Sequence, residues 1–267
     1  MLGMILTERG STLKSTPKES NSATLLIGVH PVREALRGGR PLDRVLIARG
    51  AGGPRLQEII DLCRERSTPV RFDPREALDR IANGAVHQGV VAFGAARQYS
   101  ALEDVLKGAR LLLVLDGVED PHNLGAIVRT ANAAGASGVL LPERRAAGLT
   151  ETVSKSAAGA LEHTPVVRTG NVTQTLEKLK QHGFWIYGLD ERAEQIYTRV
   201  DYADPTVFVL GGEGHGVHQN VRKHCDVLVR IPMAGPISSL NVSVAAGVVL
   251  FEWRRQRDRS AQPGSRS

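Results

Sequence analysis

The sequence predicts an α/β fold in two parts: a small N-terminal α/β domain and a larger C-terminal α/β domain built on a parallel sheet. Three observations carry this. Beyond residue 110, short runs of branched apolar residues alternate with segments whose apolar residues recur at helical spacing, the pattern of a parallel sheet covered on both faces. The chain has 267 residues, 42% of them hydrophobic and 28 of them glycine, which suits a globular core and excludes a disordered chain. The charge is also divided unevenly. Of the net +6, residues 24–97 carry 12 Arg against 8 acids and no Lys, residues 254–267 carry 5 Arg against 1 Asp, and residues 98–253 are net −3.

The same composition excludes several classes. No apolar run reaches the length of about 18 residues that a membrane span needs, so no membrane partner is expected. The opening MLGMILTERG lacks the layout of a secretory signal. Cys63 and Cys225 stand alone without metal-ligand spacing, which suits a reducing, cytoplasmic setting with no metal. Arginine presents a planar fork that fits phosphate and stacks on bases, so nucleic acid is the expected partner. A codon bias toward Arg would give the same count.

Taken in order, residues 1–23 are rich in Ser, Thr and Lys without periodicity and read as a flexible leader. Residues 24–96 form the first domain. Leu25-Leu26-Ile27-Gly28 leads into a short helix at about 31–36 with Pro31 at an early helical position. A strand at 45–47 follows, then an amphipathic helix at 56–66 with Leu56, Ile59, Ile60 and Cys63 on one face. A strand at 70–72, a helix at 74–81 and a strand at 89–93 complete it. His87-Gln88-Gly89 precedes that last strand, either as a solvated turn or as a loop touching RNA. Residues 97–109 are mixed and polar and read as a linker.

The second domain, 110–257, starts with a strand at 111–115 and a helix at 123–134. A strand at 138–141, a helix at 150–158 and a strand at 165–167 follow. Next come a helix at 172–181 and strands at 185–189 and 207–210. A helix near 217–223, a strand at 227–231 and a long final helix end the domain, and residues 258–267 read as a flexible basic tail. The run Arg254-Arg255-Gln256-Arg257 suits RNA contact or a solvated helix end equally, because cations favour a helix C-terminus.

Three stretches interrupt this scaffold with polar or glycine-rich residues. LDGVEDPHNLGAIVRTANAAG runs from 115 to 135, with Leu124, Ile127, Val128 and Ala131 as its apolar stripe and Arg129 roughly opposite. Asn123 there is either a helix cap or a ligand group, and Arg129 a solvated charge or a functional one. VLGGEGHGV, at 209–217, is a strand entering a glycine loop that fits neither a P-loop nor a dinucleotide fingerprint. IPMAGPISSLNVSVAAG, at 231–247, offers Ser238 and Ser239 as caps for a helix apolar nearly all round, with Asn241 and Ser243 in its first turn. Polar groups buried there need a partner, from backbone or ligand.

Together, and in this order, the three stretches resemble the motifs of the SpoU/TrmH family within the SPOUT superfamily of RNA methyltransferases. The resemblance covers about 110–257, and GVHPVREAL with the later HQG extends it to the family's small substrate-binding domain. Within the family the chain is most similar to members that methylate the ribose 2′-oxygen of a guanosine in 23S rRNA. The resemblance implies a deep trefoil knot, S-adenosylmethionine as cofactor and a homodimer. It implies cofactor contacts from Gly211, Gly212, Ile231, Met233, Ser239 and Leu240, and a catalytic set of Arg129, Asn123, Glu213, Ser239 and Asn241.

These residue types suit the chemistry. A ribose 2′-hydroxyl is a poor acid that has to be held in line with the methyl donor, and positioning alone supplies several kcal/mol. A guanidinium stays protonated, so Arg129 is expected to orient the hydroxyl or stabilise its oxyanion, with the base left open. Ser239 and Asn241 would fix Arg129 or the ribose, and Glu213 and Asn123 would organise the loops. A tRNA guanosine as substrate, or a non-catalytic RNA-binding role in ribosome assembly, are the alternatives. The missing dinucleotide fingerprint argues against a dehydrogenase.

Overall fold

A computed structural model describes residues 24–95, 97–213, 215–236 and 239–260. The expected leader and the last seven residues of the expected tail lie outside the described residues, as does Ser238.

The N-terminal unit runs β1 (Thr24–Ile27), α1 (Val29–Arg37), β2 (Leu42–Ala48), α2 (Pro54–Glu65), β3 (Val70–Asp73), α3 (Arg75–Ala82) and β4 (Val90–Gly94). Its sheet has the order β1-β4-β2-β3, with β2 and β3 parallel and the other pairs antiparallel. Val32 and Leu36 of α1 and Leu56 and Ile59 of α2 cover one face, and Leu78 of α3 covers the other. His87 is not a solvated turn residue. It is 2% exposed, its Nδ1 accepts from Gly89 N at 3.1 Å, and its Nε2 reaches Asp79 at 2.8 Å. Because Nδ1 accepts, the ring proton sits on Nε2 and donates to the carboxylate. Gln88 Oε1 accepts from Val29 N at the first turn of α1. The HQG stretch is therefore an internal latch that ties β4 to α1 and α3.

Residues 97–109 hold more structure than a linker: α4 (Leu102–Leu106) lies within them, and Ser100 bridges in parallel to Val167. The C-terminal unit continues with β5 (Leu111–Asp116), α5 (Pro121–Ala134), β6 (Gly138–Pro142), α6 (Glu151–Ala157), β7 (Val166–Thr169), α7 (Val172–Gln181), β8 (Trp185–Leu189), β9 (Gln195–Ile196), β10 (Thr206–Gly211), α8 (Gln219–Arg222), β11 (Val227–Arg230) and α9 (Val242–Ser260). All pairs of its seven-stranded sheet are parallel, in the order β7-β6-β5-β10-β8-β11-β9. Period-two alternation splits β5 between two cores. Leu111, Leu113 and Leu115 meet α5, α6 and α9, while Leu112 and Val114 meet the side of α4, α7 and α8. Each fully buried Leu of this kind stabilises the fold by about 2 kcal/mol.

Helix α9 departs from expectation three times. Its cap is Asn241, whose Oδ1 accepts from Ser243 N at 2.9 Å and whose carbonyl accepts from Ala245 N. Nor is it buried all round. Val242, Ala246, Val249, Leu250 and Trp253 face the core, but Val244 and Phe251 are each 50% exposed. The helix also runs on to Ser260, through the first residues of the expected tail.

A charged seam joins the two units. Glu162, in a 3₁₀ turn after α6, accepts from Arg40 at 3.1 Å and Arg97 at 2.6 Å, and the Glu162 and Arg40 side chains are 5% and 8% exposed. Arg40 also donates to Ala95 O. Burial pulls the Arg97 guanidinium below the usual arginine range, and Glu162 opposes that pull. Nearby, Glu34 of α1 accepts from His163 at 2.9 Å.

Candidate active site

In a parallel sheet all strands end on the same edge, and ligands gather outside those ends. The loops after β5, β10 and β11 leave that edge, and they are the three motif stretches. Aspartate at the end of β5 ties two of them. Asp116, 6% exposed, accepts from His218 N at 2.8 Å and lies 3.0 Å from His218 Nδ1, while its carbonyl accepts from Gly212 N. At Gly211 and Gly212 a Cβ would sit 1.8 Å from the Gly216 carbonyl carbon and 1.9 Å from Gly117 O. Only glycine lets these backbones pass so closely.

Helix α5 begins two residues earlier than its periodicity predicts. Asp120 caps it by accepting from His122 N, with Pro121 at the first turn. Asn123 is thereby released from capping. It is 7% exposed, and its amide donates to Glu213 Oε1 at 2.8 Å. Asn241 Nδ2 donates both to Asn123 Oδ1 at 2.9 Å and to the same Glu213 Oε1 at 3.0 Å. Ser243 Oγ donates to Asn241 Oδ1 at 2.6 Å, which fixes the direction of that amide. One residue from each motif stretch thus joins a single cluster centred on Glu213. Among the described residues, Oε2 of Glu213 accepts no bond.

The cluster borders an open cleft of about 530 Å³, lined also by Asp116, Glu119, Arg145 and His218. Arg145 lies in the loop between β6 and α6 with φ +56, a left-handed conformation that costs a non-glycine residue about 1–2 kcal/mol. The loop is pinned on both sides, by Glu143 N to Thr169 O and by Ala147 N to Val118 O, each at 3.0 Å. A wider hollow of about 640 Å³ lies elsewhere, between the C-terminal ends of α5 and α9 near Asn132, Phe251 and Arg254. None of the candidate site residues borders it.

The remaining candidates are placed less tightly. Arg129 is exposed on α5 and, among the described residues, hydrogen-bonds neither Ser239 nor Asn241, so the expectation that these two fix Arg129 finds no bond to carry it. Thr130, the neighbour of Arg129 on α5, packs near Gly247 in the second turn of α9. Ser239 and Leu240 are exposed, Ile231 and Met233 half-buried. Among the described residues, 231–236 make no backbone hydrogen bonds, so free backbone donors and acceptors stand next to apolar side chains. Burial pushes the Cys63 and Cys225 thiols up to about 11 and about 12, leaving neither as a ready nucleophile. Among the described residues, no His, Cys, Asp and Glu group could hold a metal ion, and no helix is long and apolar enough to cross a membrane.

Sequence reasoning missed Asp116, His218 and Arg145. A charged residue closing the run LLLVL was the available signal for Asp116; nothing in the local pattern marks the other two.

Known proteins resemble this chain in sequence and in fold. The SpoU rRNA Methylase family pattern matches residues 110–251, and the pattern for RNA 2′-O ribose methyltransferase substrate binding matches 25–100. The chain is 44% identical over 245 residues to the 23S rRNA (guanosine-2′-O-)-methyltransferase RlmB of Pseudomonas syringae pv. tomato, covering 89% of this chain and 98% of that one. It is 42% identical over 239 residues to YacO of Bacillus subtilis, named for the TrmH family of tRNA/rRNA methyltransferases, covering 87% and 96%. Among solved structures, the SpoU methyltransferase AviRb from Streptomyces viridochromogenes in complex with AdoMet superimposes with a TM-score of 0.76 at 26% identity, over 89% of this chain and 91% of that one.

Proposed function

The chain belongs to the SpoU rRNA methylase family, and from that premise we propose that it transfers a methyl group from S-adenosylmethionine to the ribose 2′-oxygen of a guanosine in 23S rRNA. The observation that carries the reading is the Asn123–Glu213–Asn241 cluster, which draws three separate loops to one cleft. The AdoMet complex of AviRb and the name of the RlmB relative support the cofactor and the substrate. Residues 24–96 serve as the RNA substrate-binding unit and 110–257 as the methyl-transfer unit.

When bound, the cofactor supplies an electrophilic methyl on a sulfonium centre. Gly211, Gly212, Ile231, Met233, Ser239 and Leu240 would hold it, through the free backbone groups and apolar side chains of their loops. Glu213 gathers the loops with one carboxylate oxygen, and among the described residues the other is left for a ligand. Asn123 and Asn241 supply hydrogen bonds to Glu213 without a counter-charge. Arg129, exposed and without an ion pair among the described residues, orients the entering 2′-hydroxyl or stabilises its oxyanion. The C-terminal unit is read as a deep trefoil knot, one of the rare exceptions to unknotted chains. A homodimer formed through α9 would cover Val244 and Phe251, an apolar stripe that a monomer leaves in water. A cytoplasmic setting follows from an rRNA substrate.

The name of YacO, which covers both tRNA and rRNA, keeps tRNA as a second substrate reading. Incubation with radiolabelled S-adenosylmethionine and either unmodified 23S rRNA or a tRNA pool decides between them. Label on a guanosine 2′-oxygen of 23S rRNA, lost in Arg129→Ala while cofactor binding persists, is the expected result. Label in tRNA alone would move the substrate, and normal methylation by Arg129→Ala would remove that residue from the reaction.

A further inference from the structure

We infer that Arg145 is a substrate-positioning residue that grips a backbone phosphate of the RNA beside the target ribose. The inference rests on the methyltransferase reading above and adds to it a residue outside the three motif stretches. Four observations point the same way. Arg145 lines the cleft that also holds Asn123 and Glu213. Among the described residues its guanidinium makes no hydrogen bond or ion pair, although Glu119 and Asp120 line the same cleft. Its backbone is held at φ +56, between anchors at Glu143 and Ala147. Strained positions fixed from both sides cluster where a side chain has to be aimed. Finally, the side chain is exposed, so a large ligand arriving from solvent can reach it.

An arginine fork pairs with two oxygens of one phosphate, and such contacts set register on a nucleic acid without reading its sequence. With Glu213 and Asn123 in the same cleft as a phosphate grip at Arg145, the ribose would be fixed at two points. The cofactor carboxylate is the other anion that could occupy this fork, and the test separates the two.

Arg145→Gly is the informative variant, because glycine adopts φ +56 freely and the loop keeps its path without the side chain. Binding of an unmodified 23S rRNA transcript would be measured by filter retention across a salt series, beside steady-state methyl transfer, cofactor affinity and melting temperature. The expected outcome is a variant that melts no lower than the parent and binds cofactor equally, with affinity for RNA down about tenfold. Its KM for RNA should rise correspondingly, and the slope of log K against log salt should become shallower by about 0.7–0.9, one phosphate contact. Arg145→Lys should restore the slope and only part of the affinity. RNA affinity and slope unchanged in Arg145→Gly would overturn the inference, as would weakened cofactor binding with RNA binding intact. If the parent protein methylates no RNA, the methyltransferase reading falls, and the binding series still decides Arg145.

Discussion

Two glutamates divide the labour of this molecule. Glu162, at the seam between the units, is 5% exposed and faces two arginines. Glu213, at the cleft, is exposed and receives two neutral amides on one oxygen. The seam carboxylate is neutralised and walled in, so its work is mechanical: removing it strands positive charge in a dry place. The cleft carboxylate is held by amides and, among the described residues, faces no counter-charge and accepts no bond on its second oxygen. Pairing with opposite charge makes a joint; pairing with amides makes a site.

The largest effect expected from this contrast is at the joint. Glu162→Ala leaves Arg40 and Arg97 without a counter-ion, and breaking a buried pair this way costs about 3–5 kcal/mol. Urea denaturation should show the loss, and an unchanged midpoint would end the comparison. Second comes Glu213→Gln, which preserves shape and should lower kcat about 100-fold, as removal of a preorganised electrostatic group does, while the denaturation midpoint stays in place. A parallel loss of stability would mean that Glu213 is structural after all. Third, Asn241→Ala removes both the cap of α9 and a ligand of Glu213. It should cost about 1 kcal/mol of stability and much of the activity, whereas Asn241→Asp should keep the cap and still lose activity by facing Glu213 with a second carboxylate. The smallest effect concerns pH at the seam. Burial pushes the Glu34 carboxyl up, but hydrogen bonds from His163 and Arg33 outweigh it and hold the group below its ordinary 4.5. A depressed carboxylate stabilises the fold above its unfolded value and loses that contribution as pH falls through the folded one. The stability gap between the parent and Glu34→Gln should therefore be full at neutral pH and close below pH 4.5.

Much of the scaffold was legible because periodicity reports burial. The predicted helix at 172–181 and strand at 185–189 coincide with α7 and β8, and the strand at 111–115 falls one residue short of β5. What escaped was set by contacts rather than by pattern. Strand β9 is two residues long and gains its identity only by pairing with β11. Helix α4, five residues long, has too few turns to show a stripe. Local preference offers Ser238 and Ser239 as caps, whereas the cap of α9 is Asn241, held in place by Asn123 and Glu213 from far along the chain. The same limit applies to the site. The three stretches that resemble the family's motifs supplied Asn123, Glu213 and Asn241, which the fold brings together. Nothing in 142–150 announced that Arg145 would line the same cleft as Asn123 and Glu213, and the HQG turn, legible as polar, proved to be an internal fastening.

The cluster at Glu213 also has a history in time. Its bonds join residues 90 and 118 positions apart, so they close only after loops of that length have been drawn in, and such distant contacts form slowly. They add little until β5, β10 and β11 already lie side by side. In a refolding experiment, catalytic competence should therefore lag behind the recovery of helical signal, with the cleft among the last parts of the molecule to come into being.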